Sequence, residues 1–176
     1  MLRDMTRATV EAEVPTGHGK RSFEHFFEVE HVRLYRALVM VTGDRHEAED
    51  ALQDAFIKLW ERWEKVGSLD DPVGYLYRTA MNVLRMRARR ARVAARRLLR
   101  ERLPADPLER VDERDRLDRA LERLTLRQRA AVILIDVYRF KSEEAGRILR
   151  ASPVTVRRLA AKGRSKVRDA LEDNDA

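Results

Sequence analysis

The sequence predicts an all-α protein of two small helical domains joined by a flexible linker. No segment alternates apolar and polar residues at the period of two that a half-buried strand requires, whereas apolar residues recur at helical spacing along most of the chain. Pro104 and Pro107 interrupt this pattern, because proline cannot continue a helix. The predicted organisation is a disordered N-terminal arm (residues 1–21), a first domain (22–95), a linker (96–111), a second domain (112–172) and a short tail (173–176).

Charge and composition narrow the class of protein. The 176 residues contain 37 Lys and Arg against 30 Asp and Glu, a formal net charge of +7, which favours a polyanionic partner. Cysteine is absent, so disulfides and thiolate metal sites are excluded. No apolar run approaches the ~20 residues that span a bilayer, and the N-terminus lacks the apolar core of a signal peptide. We therefore expect a soluble, intracellular protein.

Capping residues predict where the helices of the first domain begin and end. Ser22 precedes a broad apolar band that stops at Gly43, as expected for a helix with a serine N-cap and a glycine C-cap. Asp44 begins the second helix, with Glu47 three residues later in a reciprocal capping arrangement. The periodicity breaks over residues 65–71, and Pro72 restarts a third helix at its first turn.

The second helix has an acidic outer face inside a basic protein. Its inner side is apolar and suits burial against a core; the residues are Leu52, Phe56, Leu59 and Trp63, flanked by Ala48, Ala55 and Trp60. The outer side consists of Asp50, Gln53, Asp54, Ile57 and Glu61. An isoleucine among carboxylates is typical of a face that receives a basic partner helix. The alternative is an ordinary solvated face with one stray apolar residue.

The third helix combines aromatic rings, an amide and cations. The residues are Tyr75, Tyr77, Arg78, Asn82, Arg85, Arg87, Arg89 and Arg90, and nine arginines between Arg85 and Arg102 are opposed only by Glu101. Stacking rings beside a cationic track suit unstacked or single-stranded bases. Tyr77 fits the helical core equally well. The arginines alone indicate only nucleic acid.

The second domain ends in a predicted helix-turn-helix. Thr125 and Gln128 form a capping box for one helix, Ser142 caps a short helix, and a turn follows at residues 150–151. Ser152 and Pro153 then begin the last helix as N-cap and first residue.

The last helix has a narrow apolar stripe of small residues and a polar outer side. Thr155, Arg158 and Lys162 face outward, where Arg can pair bidentately with guanine in the major groove and Thr can touch a thymine methyl or a phosphate. Arg157 and Arg164 lie on a flank that suits phosphate contacts. The alternative is a basic, solvated C-terminal helix.

These pieces, in this order, resemble a bacterial RNA polymerase sigma factor of the extracytoplasmic-function type, in the sigma-70 family. The resemblance covers about residues 23–171. Residues 48–56, Ala-Glu-Asp-Ala-Leu-Gln-Asp-Ala-Phe, look like the region-2 segment that binds core polymerase. Residues 75–82, Tyr-Leu-Tyr-Arg-Thr-Ala-Met-Asn, are similar to the segment that opens and reads the −10 element, and residues 152–168 to the region-4 recognition helix for the −35 element.

The resemblance implies a cytoplasmic protein that is a monomer when free and that has no enzymatic activity, cofactor, metal ion or small-molecule substrate. It also implies partners and roles. The partners would be core RNA polymerase, through the clamp helices of its largest subunit and its flap region, promoter DNA and an anti-sigma factor. Core polymerase would be bound by Asp50, Gln53, Asp54, Ile57 and Glu61. The melted −10 element would be read by Ser68, Leu69, Asp70, Tyr75, Arg78, Asn82, Arg85, Arg87 and Arg89. The −35 duplex would be read by Ser152, Thr155, Arg157, Arg158, Lys162 and Arg164.

The sequence departs from the family pattern at several positions. Tyr75 stands where the family commonly has Trp, and the loop before it lacks the usual Phe-Arg-Gly sequence. Leu159 and Ala160 stand where Arg and Leu are usual. Arg150 replaces the common turn glycine, so either a left-handed backbone there carries some strain or the turn differs from the family's.

Two other functions compete with this interpretation. A stand-alone helix-turn-helix regulator would account for the last third of the chain but not for the face from Asp50 to Ile57. A metal-dependent nuclease would need its ligands to converge, whereas the spacing of the candidate residues scatters them around the helix; they are His46, Glu47, Glu49, Asp50 and Asp54.

Overall fold

The described residues form an all-α fold, as predicted. The computed structural model describes residues 22–97 and 113–173, and no strand occurs in that part of the chain. The first domain comprises α1 (Phe23–Thr42), α2 (Arg45–Trp60), α3 (Trp63–Val66) and α4 (Pro72–Arg97). The second comprises α5 (Glu113–Glu122), α6 (Leu126–Val132), a π-helical turn (Ile133–Val137), α7 (Ser142–Leu149) and α8 (Pro153–Glu172). The predicted arm, most of the predicted linker and the end of the tail lie outside the described residues.

Most of the predicted caps are confirmed. The Ser22 hydroxyl accepts a hydrogen bond from the His25 N–H, and Gly43 ends α1 in the left-handed region with φ 74°. The Thr125–Gln128 capping box is complete. Asp44 caps α2 by accepting from the Glu47 N–H at 3.0 Å. However, the Asp44 N–H donates to the Thr42 hydroxyl at 3.1 Å, so its hydrogen bond goes to a threonine rather than to the expected Glu47 side chain.

Two predicted features of the helices are wrong. The helix that carries the acidic face ends at Trp60, and Trp63 begins the separate short α3. The break lets the Trp63 ring pack on Phe26 (centroids 5.0 Å apart) and Phe23 (5.4 Å). The N-cap of α7 is Lys141 rather than Ser142, because the Glu144 carboxylate accepts from the Lys141 N–H at 2.6 Å.

The turn of the helix-turn-helix has a left-handed backbone at Arg150, one of the two alternatives that the sequence left open. Its φ is 51° and its ψ 53°, and its N–H donates to the Gly146 carbonyl. A Cβ on Gly146 would lie 2.7 Å from the Ala151 carbonyl oxygen, so glycine allows the turn to close on α7. The left-handed arginine costs about 1 kcal/mol relative to glycine, which the surrounding packing must offset.

The two domains pack against each other and share one apolar core. Tyr77 of α4 is fully buried, with its ring centroid 5.2 Å from Phe140 and 5.9 Å from Tyr138 of the second domain. The Tyr138 hydroxyl donates to the Arg33 carbonyl of α1 at 2.8 Å. Arg129 of α6 donates to the Val41 carbonyl at 3.3 Å, near the C-terminal end of α1 where a cation is favourable. Of the two positions considered for Tyr77, the structure therefore selects the core.

Candidate functional site

The acidic face of α2 is exposed to solvent. Asp50, Gln53, Asp54 and Ile57 follow the spacing i, i+3, i+4, i+7, which places them on one side of the helix. The side chains of Asp50 and Asp54 are 64% and 42% exposed, and Ile57 is 50% exposed. Glu61 is also exposed but lies just beyond the helix end. The side chains predicted to form a docking surface thus lie together, with Glu61 at its margin.

Arg87 of α4 holds the two carboxylates of this face. Its Nη1 donates to Asp50 Oδ2 at 2.8 Å and its Nη2 donates to Asp54 Oδ2 at 2.9 Å. These hydrogen bonds, with Asp50 contributing most and Asp54 next, raise the pKa of the Arg87 guanidinium above its ordinary value. The sequence analysis had assigned Arg87 to DNA, whereas this geometry makes it part of the acidic face.

An apolar groove lies beside the acidic face, between α1 and α2. It has a volume of about 450 Å³ and is lined by Phe23, Phe27, Glu49, Leu52, Gln53, Phe56, Ile57 and Trp60. Trp60 is 57% exposed, so its expected place beside a buried stripe was wrong. Because α2 ends at Trp60, the ring lies at the margin of the first domain, with its centroid 4.8 Å from that of Phe23. The i, i+3 spacing of Ile57 and Trp60 was the signal for this second apolar surface.

A wide charged groove lies on the other side of the acidic residues, between α2 and α4. Its volume is about 900 Å³, and its lining includes Asp50, Asp54, Lys58, Glu61, Arg62, Tyr75, Arg78, Asn82, Arg87, Arg90 and Arg150. The Arg78 guanidinium lies 5.0 Å from the centroid of the Tyr75 ring, a cation–π contact. The Tyr75 hydroxyl accepts from Arg62 Nη1 at 3.4 Å. The sequence analysis had included Arg90 among the cations of the third helix but had not selected Arg62 or Arg150 for this site.

The residues predicted to contact a melted strand do not all converge. The charged groove is lined by Tyr75, Arg78, Asn82 and Arg87. Arg85 instead borders a small cavity of about 40 Å³ between α4, α6 and α7, and Asn82 lines this cavity as well. Exposed side chains outside both cavities are Ser68, Leu69, Asp70 and Arg89. Asn82 therefore lies where the first domain meets the second.

Helix α8 has two exposed cations on one side and two arginines close to acidic side chains on its flank. Ser152 caps it by accepting from the Thr155 N–H at 3.2 Å, and the two hydroxyls are 2.8 Å apart. Arg158 and Lys162 are exposed and form no ion pair within the described residues. Arg157 lies 3.9 Å from Glu143, and Arg164 donates to both oxygens of Asp136 at 3.1 and 3.2 Å.

Buried polar groups lie where α1 and α4 meet the second domain. Glu30 is 5% exposed, and burial raises the pKa of its carboxyl. Arg33, whose Nη1 lies 3.9 Å from Glu30 Oε1, has the opposite but smaller effect, so the net shift is upward. Burial also raises the pKa of the Tyr77 hydroxyl. Within the described part of the chain, neither Glu30 Oε2 nor the Tyr77 hydroxyl has a hydrogen-bond partner.

The described residues contain no cluster of three or more His, Asp or Glu side chains able to hold a metal ion. In residues 22–97 and 113–173, no helix combines the length and apolar character needed to cross a membrane.

Comparison with known proteins places the two domains in one family. The family model for Sigma-70 region 2 matches residues 26–93, and the model for Sigma-70, region 4, matches residues 114–167. The ECF RNA polymerase sigma factor SigM of Mycobacterium tuberculosis is 30% identical over 148 residues, which cover 83% of this chain and 75% of SigM. The chain belongs to the ECF RNA polymerase sigma factors. It therefore directs transcription initiation, and the sigma factor family consists of non-enzymatic regulatory proteins.

Other similar proteins agree with this assignment. The ECF sigma factor SigE of Mycolicibacterium smegmatis is 34% identical over 79% of this chain and 57% of SigE, and the sigma-E factor of Streptomyces avermitilis is 26% identical over 90% of both chains. The sigma factor RpoE of Bartonella quintana, solved in complex with the anti-sigma factor NepR, has a TM-score of 0.72 at 19% identity, covering 85% of this chain and 96% of RpoE. This last likeness is one of fold.

Proposed function

We propose that this ECF sigma factor docks on core RNA polymerase through the outer face of α2. The observation that carries the proposal is the solvent-exposed pair Asp50 and Asp54 beside exposed Ile57 and Trp60. Carboxylates supply orientation and rapid association with a basic partner, and a large apolar side chain supplies the buried anchor of an interface. A basic, amphipathic helix of the polymerase clamp fits this combination.

The charged groove between α2 and α4 suits the melted −10 strand. Tyr75 presents an aromatic ring for base stacking, and Arg78 supplies a cation for the backbone. Base stacking contributes about 1–3 kcal/mol per base, so a few such contacts offset the cost of unstacking the duplex. The exposed loop residues Ser68 to Asp70 remain candidates for contacts with a flipped base.

The side of α8 with the two exposed cations suits the −35 duplex. Arg158 and Lys162 point away from the core of the second domain, which is what entry into the major groove requires. Arg157 and Arg164 are already held by acids, so phosphate contacts from them would replace an ion pair rather than engage a free cation. We assign base reading to Arg158 and backbone contacts to the flanking arginines.

The two reading surfaces must separate during initiation. Elements near −35 and −10 lie on the order of 85 Å apart along straight B-DNA. A packed protein body of this size has a radius of gyration of about 14 Å. The arrangement in which the two domains pack against each other therefore cannot contact both elements. We infer that the interdomain contacts of Tyr77, Tyr138 and Arg129 break in the promoter complex.

The regulation and location follow from the same proposal. The RpoE relative was solved with the anti-sigma factor NepR, and we include an anti-sigma factor among the partners of this chain. We place the protein in the cytoplasm, where core RNA polymerase acts.

Charge reversal at Asp50 and Asp54 tests the docking surface. Replacing both with Arg should abolish co-purification with mycobacterial core RNA polymerase, chosen because two of the relatives named above are mycobacterial, while helicity is kept. The matched control reverses Glu122 and Asp169, which are exposed carboxylates of the second domain. Unchanged co-purification of the Asp50/Asp54 variant would contradict the assignment.

Arg158→Ala tests base reading by α8. Transcription from a promoter with a matching −35 element should fall, with a loss of discrimination of about 1–3 kcal/mol. In vitro transcription on promoters with single changes in that element measures the loss. An equal decrease on every promoter would identify Arg158 as a phosphate contact instead.

A further inference from the structure

Arg87 approaches the docking face from the α4 side. Its side chain is 31% exposed, less than the carboxylates of Asp50 and Asp54, to which it donates through separate nitrogens. Asp50 and Asp54 lie one helical turn apart on α2, and a planar guanidinium can reach both with its two terminal nitrogens. One side chain of α4 therefore determines the orientation of both acidic side chains of α2.

The pairing leaves each carboxylate able to accept a partner. Both hydrogen bonds use Oδ2, and within the described residues neither Oδ1 accepts a hydrogen bond. A carboxylate has about four lone-pair positions, so an oxygen bound to Arg87 still leaves acceptor capacity toward solvent. The exposed oxygens of Asp50 and Asp54 can therefore still accept hydrogen bonds from a cationic side chain of a partner protein.

We propose that Arg87 is a positioning residue for core polymerase docking, which it serves by holding Asp50 and Asp54 in the orientation that the polymerase binds. This inference rests on the proposed docking function of α2. Surface carboxylates otherwise lose rotamer freedom when a partner binds, and a preformed orientation lowers that loss. Arg87 consequently contributes to the affinity for core polymerase in the absence of DNA.

The neighbouring Arg90 supplies a matched control. It lines the same charged groove and is exposed, but no ion pair to a carboxylate is present for it within the described residues. Arg90→Gln therefore removes the same charge from the same helix without releasing Asp50 or Asp54. Loss of general positive charge and loss of carboxylate orientation can be distinguished by comparing the two variants.

The experiment measures the dissociation constant of the full chain for mycobacterial core RNA polymerase without DNA. Arg87→Gln should weaken binding about tenfold, the equivalent of one charge-assisted hydrogen bond. Arg87→Lys, which keeps the charge but lacks the planar fork, should restore only part of the affinity. Arg90→Gln should bind within about twofold of the unmodified chain, the small effect expected of an exposed charge that has no partner.

A double-mutant cycle shows whether Arg87 acts through the carboxylates. In the Asp50→Asn/Asp54→Asn background, adding Arg87→Gln should change the affinity by less than about twofold, because no carboxylate remains to be oriented. An undiminished tenfold effect in that background would refute the positioning role. Circular dichroism of every variant should show unchanged helix content, so that the binding losses are not due to unfolding.

The outcomes separate this inference from the docking proposal. If the Asp50→Arg/Asp54→Arg chain binds core polymerase normally, the docking proposal fails and the inference fails with it. If charge reversal abolishes binding while Arg87→Gln binds as well as the unmodified chain or more tightly, the docking face stands and the positioning role of Arg87 is refuted.

Discussion

Tyr77→Phe should stabilise the folded protein, because it removes a buried hydroxyl and keeps the ring. Tyr77 is 0% exposed, and its hydroxyl has no hydrogen-bond partner within the described residues. Burial of an unpaired hydroxyl costs about 1–3 kcal/mol. The ring contacts with Tyr138 and Phe140 do not depend on the hydroxyl. We expect the free energy of unfolding to rise by about 1 kcal/mol, which corresponds to an increase in Tm of about 3 °C for a chain of this length.

Tyr138→Phe is the matched comparison, with the opposite expected sign. The Tyr138 hydroxyl donates to the Arg33 carbonyl at 2.8 Å, and loss of such a bond costs about 0.5–1.5 kcal/mol. Urea unfolding at pH 7, followed by circular dichroism, measures both variants in the full chain. A Tyr77→Phe chain that is less stable than the unmodified protein, or two variants that shift in the same direction, would refute the reasoning.

Tyr77→Phe also bears on the separation of the two domains. Tyr77 lies under the second domain, so a more favourable environment for its ring also favours the arrangement in which the two domains pack against each other. If docking on core polymerase requires separation, a stabilisation of about 1 kcal/mol should weaken association about fivefold.

Two further predictions concern stability. Glu30→Gln should raise the free energy of unfolding at pH 7, because burial raises the pKa of Glu30 above 4.5 and the folded state disfavours its ionised form. The difference should shrink as the pH falls through the raised pKa and then below 4.5, where the carboxyl is protonated in both states; a pH-independent difference would contradict this cause. Gly163→Ala should destabilise the second domain by about 1–3 kcal/mol, because a Cβ there would lie 2.5 Å from Val132 Cγ2. Thermal unfolding of Gly163→Ala, with Ala substituted at exposed Ser165 as control, measures the loss, and equal Tm values would show that the neighbours move aside.

Most helix boundaries could be predicted because capping is a local interaction. Each capping residue lies within three residues of the backbone N–H that it caps or of the helical turn whose conformation it fixes. These residues are Ser22, Thr125 with Gln128, and Ser152 with Pro153. The error at Ser142 has a local cause as well. Glu144 accepts from the Lys141 N–H, so lysine occupies the cap position although its side chain is not a typical cap.

Helical spacing also predicted much of the candidate site. Asp50, Gln53, Asp54 and Ile57 share a face because of the 3.6-residue repeat, whatever packs behind them. The outward direction of Arg158 follows from the buried stripe that includes Val156 and Ala160. The amphipathic pattern of a helix records which side is buried, and this information is present in the sequence.

The sequence by itself therefore determined most of the helices and caps, the polar faces and the strong positive charge, since each depends on neighbours along the chain. The tertiary structure decided the exposure of Trp60, the pairing of Arg87 with carboxylates 33 and 37 positions earlier, and the burial of Tyr77 beneath the second domain. These features depend on how separate helices approach one another. Helical spacing shows that Arg87 faces outward from α4, but only the packing of α4 against α2 brings Asp50 and Asp54 within its reach.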